Sequence, residues 1–391
     1  METRSKRRHL LMYLTYKYTP SPVQRVSCRR MRILEIVSGT TACGATVHTL
    51  QIAKELHRRG NAITLMGKPG AWVLQQAQQA GVPTLESRMK RLPLRDLKAA
   101  AQFVRENQIE VLLAHMSSAN NFAVWLSRLA KVPAVLRAHA HTLHFHWRMA
   151  DHIIAVSEQT RLYHIRRNLV PPSRISTVHG FVDSARLVVP DKGARHAVRA
   201  ELGLSPSDFI VGVIGNIIPR KGQIYLVRAL PKVVARHPQV RVLLVGVVHP
   251  PRYGEQVRRE AERLGVAEHV LWLGERKDVP RLLQALDVYA LPTLSDMLPM
   301  AMLEAMWAEL PILATTAGGI PEAITDGIHG WLVPPKDPDA LARALVEIIN
   351  SPDERARRAR NAHQRVQESF TVQPQVAKIE AILQQIAQAR R

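Results

Sequence analysis

Short runs rich in Val, Ile and Leu alternate with stretches of helical periodicity from residue 32 almost to the last residue. No other property limits the possible folds so strongly. A strand that returns in the same direction needs a crossover, and helical crossovers build parallel sheets covered on both faces. Residues 32–37 (RILEIV) open the series. The loop SGTTACGA follows, and Thr49, Ile52, Ala53 and Leu56 then recur at helical spacing before Gly60 ends the helix. Residues 63–66, 109–114, 133–137 and 153–157 read as further buried strands, and 97–107 and 122–130 as helices.

The rhythm lapses at residues 188–197, where charged residues, Pro and Gly take over. It restarts at 209–215 and continues with strands at 240–245, 270–273, 288–291 and 312–314. A helix begins at Pro338, capped by Asp337, with Leu341, Ala344, Leu345 and Ile348 as its buried stripe. Residues 373–389 read as one more amphipathic helix. A chain of 391 residues exceeds one ordinary core. The expected fold is α/β, with two doubly wound Rossmann-like domains facing a central cleft. The expected parts are a basic N-terminal arm (1–30), a first domain (31–190), a second domain (198–370), and a C-terminal helix (371–391) packing back toward the first domain. Ligands of such sheets bind beyond the carboxyl ends of the strands.

Two segments of the second series carry chemistry. Residues 215–222, GNIIPRKG, turn at Gly215 directly after a strand and present Arg220 and Lys221 together. Adjacent cations and free amides suit a diphosphate leaving group, whose negative charge grows as its bond breaks. The same residues would also serve as a solvated turn, but their place after a buried strand favours a site. Residues 290–322, ALPTLSDMLPMAMLEAMWAELPILATTAGGIPE, set Asp296 and Glu304 around a helix started by Pro299. Glu304 has two oxygens with which to accept both hydroxyls of a ribose. With Pro299 at the first helical position, the amides of Met300 and Ala301 are left to meet an anion. Asp337-Pro338-Asp339 has the D-x-D spacing of a metal site, but it starts a helix: Asp337 caps and Asp339 complements the dipole. No metal or other cofactor is expected.

Taken together these motifs resemble retaining glycosyltransferases of family 4 (glycosyltransferase group 1), with the two-domain GT-B fold. The resemblance spans roughly residues 31–388. It rests on the G-x4-Arg-Lys-Gly turn (215–222), the acidic-x7-Glu segment (296–304) and the AGGIPE-x3-DG-x2-G-x-LV run (317–333), in that order. It implies that Lys221, with Arg220, meets the donor diphosphate and that Glu304 holds the ribose. Gly215, Asn216 and residues Met297, Leu298, Pro299 and Met300 would complete the donor site. It also implies that His139, in RAHA after the 133–137 strand, stands beside the donor sugar, although a satisfied loop histidine would look the same in sequence. Gly44 and Ala45 resemble the loop where backbone approaches acceptor or phosphate. Residues 178–183 (VHGFVD) resemble a segment near the domain boundary and read as structural.

Some positions depart from the family pattern. Asn216 stands where Arg is usual, and Arg220 can supply that charge from another angle. Asp296 replaces the usual Glu and is one methylene shorter. Met297 replaces a common Gly and adds a side chain beside the donor sugar. Gly44-Ala45 replaces a pair of glycines. The implied reaction is transfer of a hexosyl-type sugar from a nucleotide-sugar to an acceptor hydroxyl with retention. It would proceed on the front face, where a donor phosphate oxygen takes the acceptor proton. An epimerase or phosphorylase on the same fold is the nearest alternative.

Charge bears on the acceptor. The formal net charge is +22 with a pI of about 10.7, and +8 of it lies in residues 1–32. A basic chain seeks polyanions. An anionic membrane surface, with a lipid-linked saccharide or lipopolysaccharide-core acceptor in cell-envelope synthesis, is the expected partner. A merely soluble surface and a non-catalytic nucleic-acid-binding protein are the alternatives. Aromatic content of 5% without an aromatic–basic face argues against the latter. There is no run of eighteen apolar residues, and Cys28 and Cys43 alone make no disulfide framework or metal quartet, so a cytoplasmic protein, peripheral on the membrane's inner face, is expected. Residues 10–14 are too short for a secretory signal. A disordered arm, a membrane-surface anchor and an upstream start codon all remain open for the first thirty residues, and Met31, just before the first strand, favours the last.

Overall fold

All strand pairs in the computed structural model are parallel, and they fall into two sheets. The structure describes residues 30–90, 94–184, 187 and 192–390. The basic arm (apart from residue 30), Cys28 and residues 188–191 of the expected boundary lie outside the described residues. The strands, in chain order, are β1 Arg32–Val37, β2 Ala62–Gly67, β3 Thr84–Glu86, β4 Val111–His115, β5 Ala134–Ala138, β6 His152–Ala155 and β7 Ile175–Thr177 in the first sheet. The second sheet holds β8 Phe209–Ile214, β9 Val240–Val245, β10 Val270–Gly274, β11 Val288–Leu291, β12 Ile312–Thr315 and β13 Trp331–Val333. Their spatial orders are β3-β2-β1-β4-β5-β6-β7 and β10-β9-β8-β11-β12-β13. Each order reverses beside its first strand, between β1 and β4 and between β8 and β11. A parallel sheet opens a crevice at such a reversal.

Ten of these strands match apolar runs in the sequence. The three that do not, β3, β7 and β13, are three residues long and lie at sheet edges. An edge strand pairs on one side only, so TLE, IST and WLV carry no long apolar run to announce them. The boundary expected at residues 188–197 is described only from residue 192, where the helix Lys192–Glu201 begins. Arg195 and Arg199 grip the two carboxylate oxygens of Asp287 at 2.5 and 2.6 Å, and the Ile210 amide donates to Asp287 Oδ2 at 2.7 Å. That fan of donors fastens the helix to the sheet of the second domain.

Strand alternation sets the two faces of the first sheet. Leu34 and Ile36 pack under the helices Arg95–Glu106 and Ser117–Ala130. Ile33 and Val37 pack under the helices Gly44–Arg58 and Val372–Ala389. The last helix therefore belongs to the core of the first domain. Val372, Val376, Ile379, Leu383 and Ala387 recur every three or four residues and are all buried there. Each fully buried Val, Ile or Leu contributes about 1.5–3 kcal/mol. The chain returns to the first domain where the Val182 amide donates to Phe370 O at 2.8 Å. Among the described residues no helix is long and apolar enough to cross a membrane.

Candidate active site

The wall formed by the second domain is built from backbone turns. After β8 the chain reverses at Gly215 (φ +140°), and Pro219–Lys221 makes one turn of 3-10 helix that ends at Gly222 (φ +70°). A Cβ on Gly222 would lie 2.1 Å from Pro292 O, so only glycine lets the two loops touch. The Arg220 carbonyl accepts from Leu294 N (2.8 Å) and Thr293 Oγ1 (2.9 Å), and Arg220 Nη1 donates to Ser295 O at 2.6 Å. From the far side the Gly318-Gly319 pair closes on the same loop. A Cβ at Gly318 would lie 1.6 Å from Asp296 O and one at Gly319 would lie 1.9 Å from Met297 O, while Gly319 N donates to Asp296 O at 2.9 Å. Residues 293–297 are thus clamped between two glycine-bearing turns.

Asp296 has partners within the wall itself. Lys221 Nζ lies 2.6 Å from Asp296 Oδ2, and Arg220 Nη1 lies 3.4 Å from the same oxygen. Asp296 Oδ1 accepts from Met297 N at 3.1 Å. Both carboxylate oxygens are therefore engaged within the wall, and Asp296 organises the two cations. Pro299 is also shifted from its expected place. It is the N-cap, and the helix runs Met300–Trp307, so Met300 is the first helical residue. The helix still opens toward the cleft with its first amides, where an anion is favoured. Glu304 stands one turn along that helix, half-buried, and is not among the residues lining the cavity.

The wall formed by the first domain is built from buried ionisable groups. Gly44 and Ala45 begin the helix that follows β1, and His48 sits one turn on. The His48 ring stacks on Phe181 at 4.5 Å, and its Nε2 donates to Phe181 O at 2.9 Å. Glu35, His115 and Arg137 lie on one face of the sheet, as their register requires: Val37 pairs with His115, and His115 with Arg137. All three are completely buried. His115 Nε2 is 2.7 Å from Glu35 Oε1, and His115 Nδ1 is 3.3 Å from His139 Nε2. Arg137 Nη2 donates to Val178 O (3.3 Å) and His179 O (3.4 Å).

Burial governs the protonation of this cluster. It pushes His48 down to about 3, with Arg137 adding repulsion, and it holds His115 and His139 well below the usual imidazole range by the same two causes. It lowers Arg137 to about 10 against the pull of Glu35. It raises the Glu35 carboxyl well above the carboxylate range, a shift that Arg137 only partly counters. The three imidazoles are therefore neutral near pH 7, suited to hydrogen bonding with a sugar and not to holding a phosphate.

The two walls meet around a cavity of about 700 Å³. It is lined by Gly44, Ala45 and His139 on one side and by Gly215, Asn216, Arg220, Lys221, Asp296, Met297, Leu298, Pro299 and Met300 on the other. Of the residues expected from sequence, only Glu304 stands back from it. His48, His141, Val156 and Gly180 also line it and were not anticipated. Gly180 lies in the segment read as structural, yet a Cβ there would lie 3.2 Å from His48 Cε1 and 3.5 Å from Leu298 Cδ2. The signal for the buried cluster was present in the first strand, where RILEIV carries a Glu inside an apolar run. Two further contacts tie the domains together. The Glu322 carboxylate accepts from the amides of Glu158 (2.7 Å) and Gln159 (3.0 Å) at the start of the helix Glu158–Arg167, and from His179 Nε2 at 2.9 Å. Thr160 Oγ1 donates to Met297 Sδ at 3.4 Å. Among the described residues no group of three or more His, Cys, Asp or Glu is placed to hold a metal ion.

Two parallel sheets with a cation-bearing cleft at their carboxyl ends define a class, and comparison with known proteins agrees. Residues 194–365 match glycosyl transferases group 1, and residues 42–186 match Glycosyltransferase Family 4. The chain belongs to this group 1/family 4-like group of glycosyltransferases. Among solved structures, HepE of Anabaena in complex with UDP and glucose aligns with a TM-score of 0.80 at 23% identity, covering 91% of this chain and 100% of that one. A glycosyltransferase of Rickettsia africae aligns at 0.83 with 16% identity, over 92% and 99% of the two chains. The fold is the two-domain GT-B architecture. In sequence, the D-inositol 3-phosphate glycosyltransferase of Mycobacterium marinum is 33% identical over 208 residues, 52% of this chain. That match spans 43% of the relative's own length, so the chain spans somewhat under half of it.

Proposed function

We propose that the protein transfers a sugar from a nucleoside-diphosphate sugar to an acceptor hydroxyl with retention of anomeric configuration. The observation that carries this reading is the convergence of Arg220, Lys221 and the first amides of the helix Met300–Trp307 on one cavity, opposite the neutral His139. Cations and amides meet the diphosphate, and the leaving charge is stabilised where it develops without a metal ion. A neutral imidazole faces the sugar. Glu304 takes the ribose once the helix and cleft adjust around the nucleotide. Closure of the domains excludes water that would otherwise hydrolyse the donor. Uridine is the base to try first, since HepE, which shares the fold, was solved with UDP and glucose.

A lipid-linked or membrane-borne saccharide is the acceptor this reading favours. The loop that lines the cavity at His139, Ala140 and His141 continues into Leu143 and Phe145, which are 65% and 70% exposed. Leu169, 64% exposed, is the neighbour of Asn168, whose side chain bonds Thr142 O and His144 N. Exposed Arg148, Arg166, Arg167 and Arg174 lie in the same segments. Apolar tips flanked by arginine suit an anionic bilayer surface.

Thermal shift against a panel of nucleoside diphosphates and nucleotide sugars tests the donor site. At least one nucleoside diphosphate should raise Tm. Lys221→Ala should weaken its binding by about tenfold or more, the worth of one charge-assisted hydrogen bond. Glu304→Ala should weaken nucleosides bearing a ribose more than inorganic diphosphate. A broad panel that leaves Tm unmoved would sink the assignment.

A further inference from the structure

One side chain of the cavity crosses from one domain to the other. In the donor reading above, the diphosphate lies at Arg220, Lys221 and the first amides of the helix Met300–Trp307, and the ribose at Glu304. The sugar is left the first-domain side of the cavity, where His139, Val156 and Gly180 stand. Met297 enters that side from the second domain, and its backbone is held twice. Its N–H donates to Asp296 Oδ1 at 3.1 Å, and its carbonyl lies where a Cβ on Gly319 would come within 1.9 Å of it. Its tip is held as well. Thr160, in the helix Glu158–Arg167 of the first domain, donates from Oγ1 to Met297 Sδ at 3.4 Å. Thr160 is not among the residues lining the cavity, so it reaches a ligand only through Met297.

Chemistry fixes the direction of these bonds. A thioether sulfur only accepts, so Thr160 gives its one hydroxyl proton to Met297. Ser157 Oγ, 2.9 Å from Thr160 Oγ1, must then donate to Thr160, and it accepts in turn from Thr160 N at 3.2 Å. Ser157 and Thr160 are completely buried, so water does not compete for either hydroxyl. A free methionine has three soft torsions and swings aside for a ligand. Held at backbone and tip, this one is a wall. Its neighbours in the lining, Val156 and Leu298, are buried and apolar, and a Cβ on Gly180 would lie only 3.5 Å from Leu298 Cδ2. An acetamido group in place of a sugar hydroxyl would have to displace the sulfur from Thr160. It would also bury an amide against thioether and alkyl groups that offer it no strong hydrogen bond. We propose that Met297, with Thr160 as its positioning residue, determines donor specificity: the sugar subsite takes a hexose without an N-acetyl substituent and rejects an N-acetylhexosamine. This inference rests on the reading of the cavity as a nucleotide-sugar site.

Met297→Ala and Met297→Gly remove the wall. Thr160→Val keeps the shape behind it but not the hydroxyl, and Thr160→Ser keeps the hydroxyl. The full chain and each variant would be titrated calorimetrically with UDP, UDP-glucose and UDP-N-acetylglucosamine. If the thermal-shift panel selects another base, that base with the same two sugars takes the place of uridine. Wild type should bind UDP-glucose about tenfold or more tighter than UDP-N-acetylglucosamine, the scale on which a packed pocket rejects an oversized group. M297A and M297G should bring the two sugars within about threefold of each other, with UDP unchanged. T160V should move the ratio in the same direction, and T160S should keep that of wild type. Wild type binding both sugars equally would overturn the proposal, as would an unchanged ratio in M297A and M297G. A ratio that moves only because UDP itself binds differently would also overturn it. In those three outcomes UDP binding leaves the donor site standing. If no nucleoside diphosphate binds, the donor site falls and this proposal falls with it.

Discussion

The two walls of the cleft are made by opposite means. The second-domain wall is backbone held by backbone: two glycine-bearing turns pinch residues 293–297, and an exposed-to-half-buried trio of Arg220, Lys221 and Asp296 tops them. The first-domain wall is made of side chains: Glu35, His115, Arg137 and His48 are buried where apolar residues would normally sit, and the half-buried His139 lines the cavity. One wall is specified by where a Cβ does not fit, the other by which ionisable groups stay neutral. They should therefore fail under different insults.

Acid is the strongest way to separate them. His48, held at about 3, and His146, His152 and His164, held at about 4, all belong to the first domain, and burial is the leading cause for each. Among the described residues the second domain has only His329 lowered. A histidine whose folded value lies below its unfolded value of 6.5 lends stability that is complete above pH 6.5 and is lost as pH falls toward the folded value. Each such group removes about 1.4 kcal/mol per pH unit across that window. Glu35 works in the opposite sense, because a raised carboxyl penalises folding as pH climbs past the ordinary carboxylate range. Between pH 6.5 and 4 the first domain should lose protection before the second. Hydrogen exchange at β4 and β5 against β8 and β11 measures this, and simultaneous loss in both would erase the distinction.

Sterics should show the reverse. Gly318→Ala places a Cβ against Asp296 O at a residue with φ +65°. It should cost about 3 kcal/mol or more, combining the left-handed backbone penalty with overpacking. Urea unfolding should locate that loss in the second domain, with first-domain exchange unaltered. A variant as stable as wild type would show that the clamp on residues 293–297 is slack. The smallest effect sharpens the boundary between the walls. Glu322→Ala removes the acceptor for the Glu158 and Gln159 amides and should cost about 1 kcal/mol, as loss of a helix cap does. Faster exchange confined to the start of the helix Glu158–Arg167 is the expected sign.

The same contrast explains what was legible in the sequence. Glycines at 215, 222, 318 and 319 and the Arg-Lys pair sit in short contiguous motifs, because a turn is specified by neighbours in the chain. Nine of the ten visible strands are central, and central strands of a parallel sheet read as apolar runs; the tenth, β10, lies at an edge but carries the run VLWL. The edge strands β3, β7 and β13 were not visible, since half-exposed pairing leaves no such run. The buried cluster was harder still. Glu35, His115 and Arg137 come from three strands, far apart in sequence, and only the register of β1, β4 and β5 brings them onto one face. RAHA drew attention to His139 but not to Arg137 two residues earlier. Asp296 was seen as a site residue, but that it would be taken up by Lys221 and Arg220 depended on how two loops 75 residues apart were pressed together.

The helix Val372–Ala389 has a consequence for how the molecule is made. Its apolar stripe covers Ile33, Val37 and Leu65 of the first sheet, although more than three hundred residues of synthesis separate them. While the ribosome is still producing the second domain, the first has emerged with one face of its sheet partly uncovered. The nascent first domain is thus a species that chaperones can recognise, and it gains its full core only after residue 387 has left the exit tunnel. A nascent chain interrupted between the domains would keep that face open.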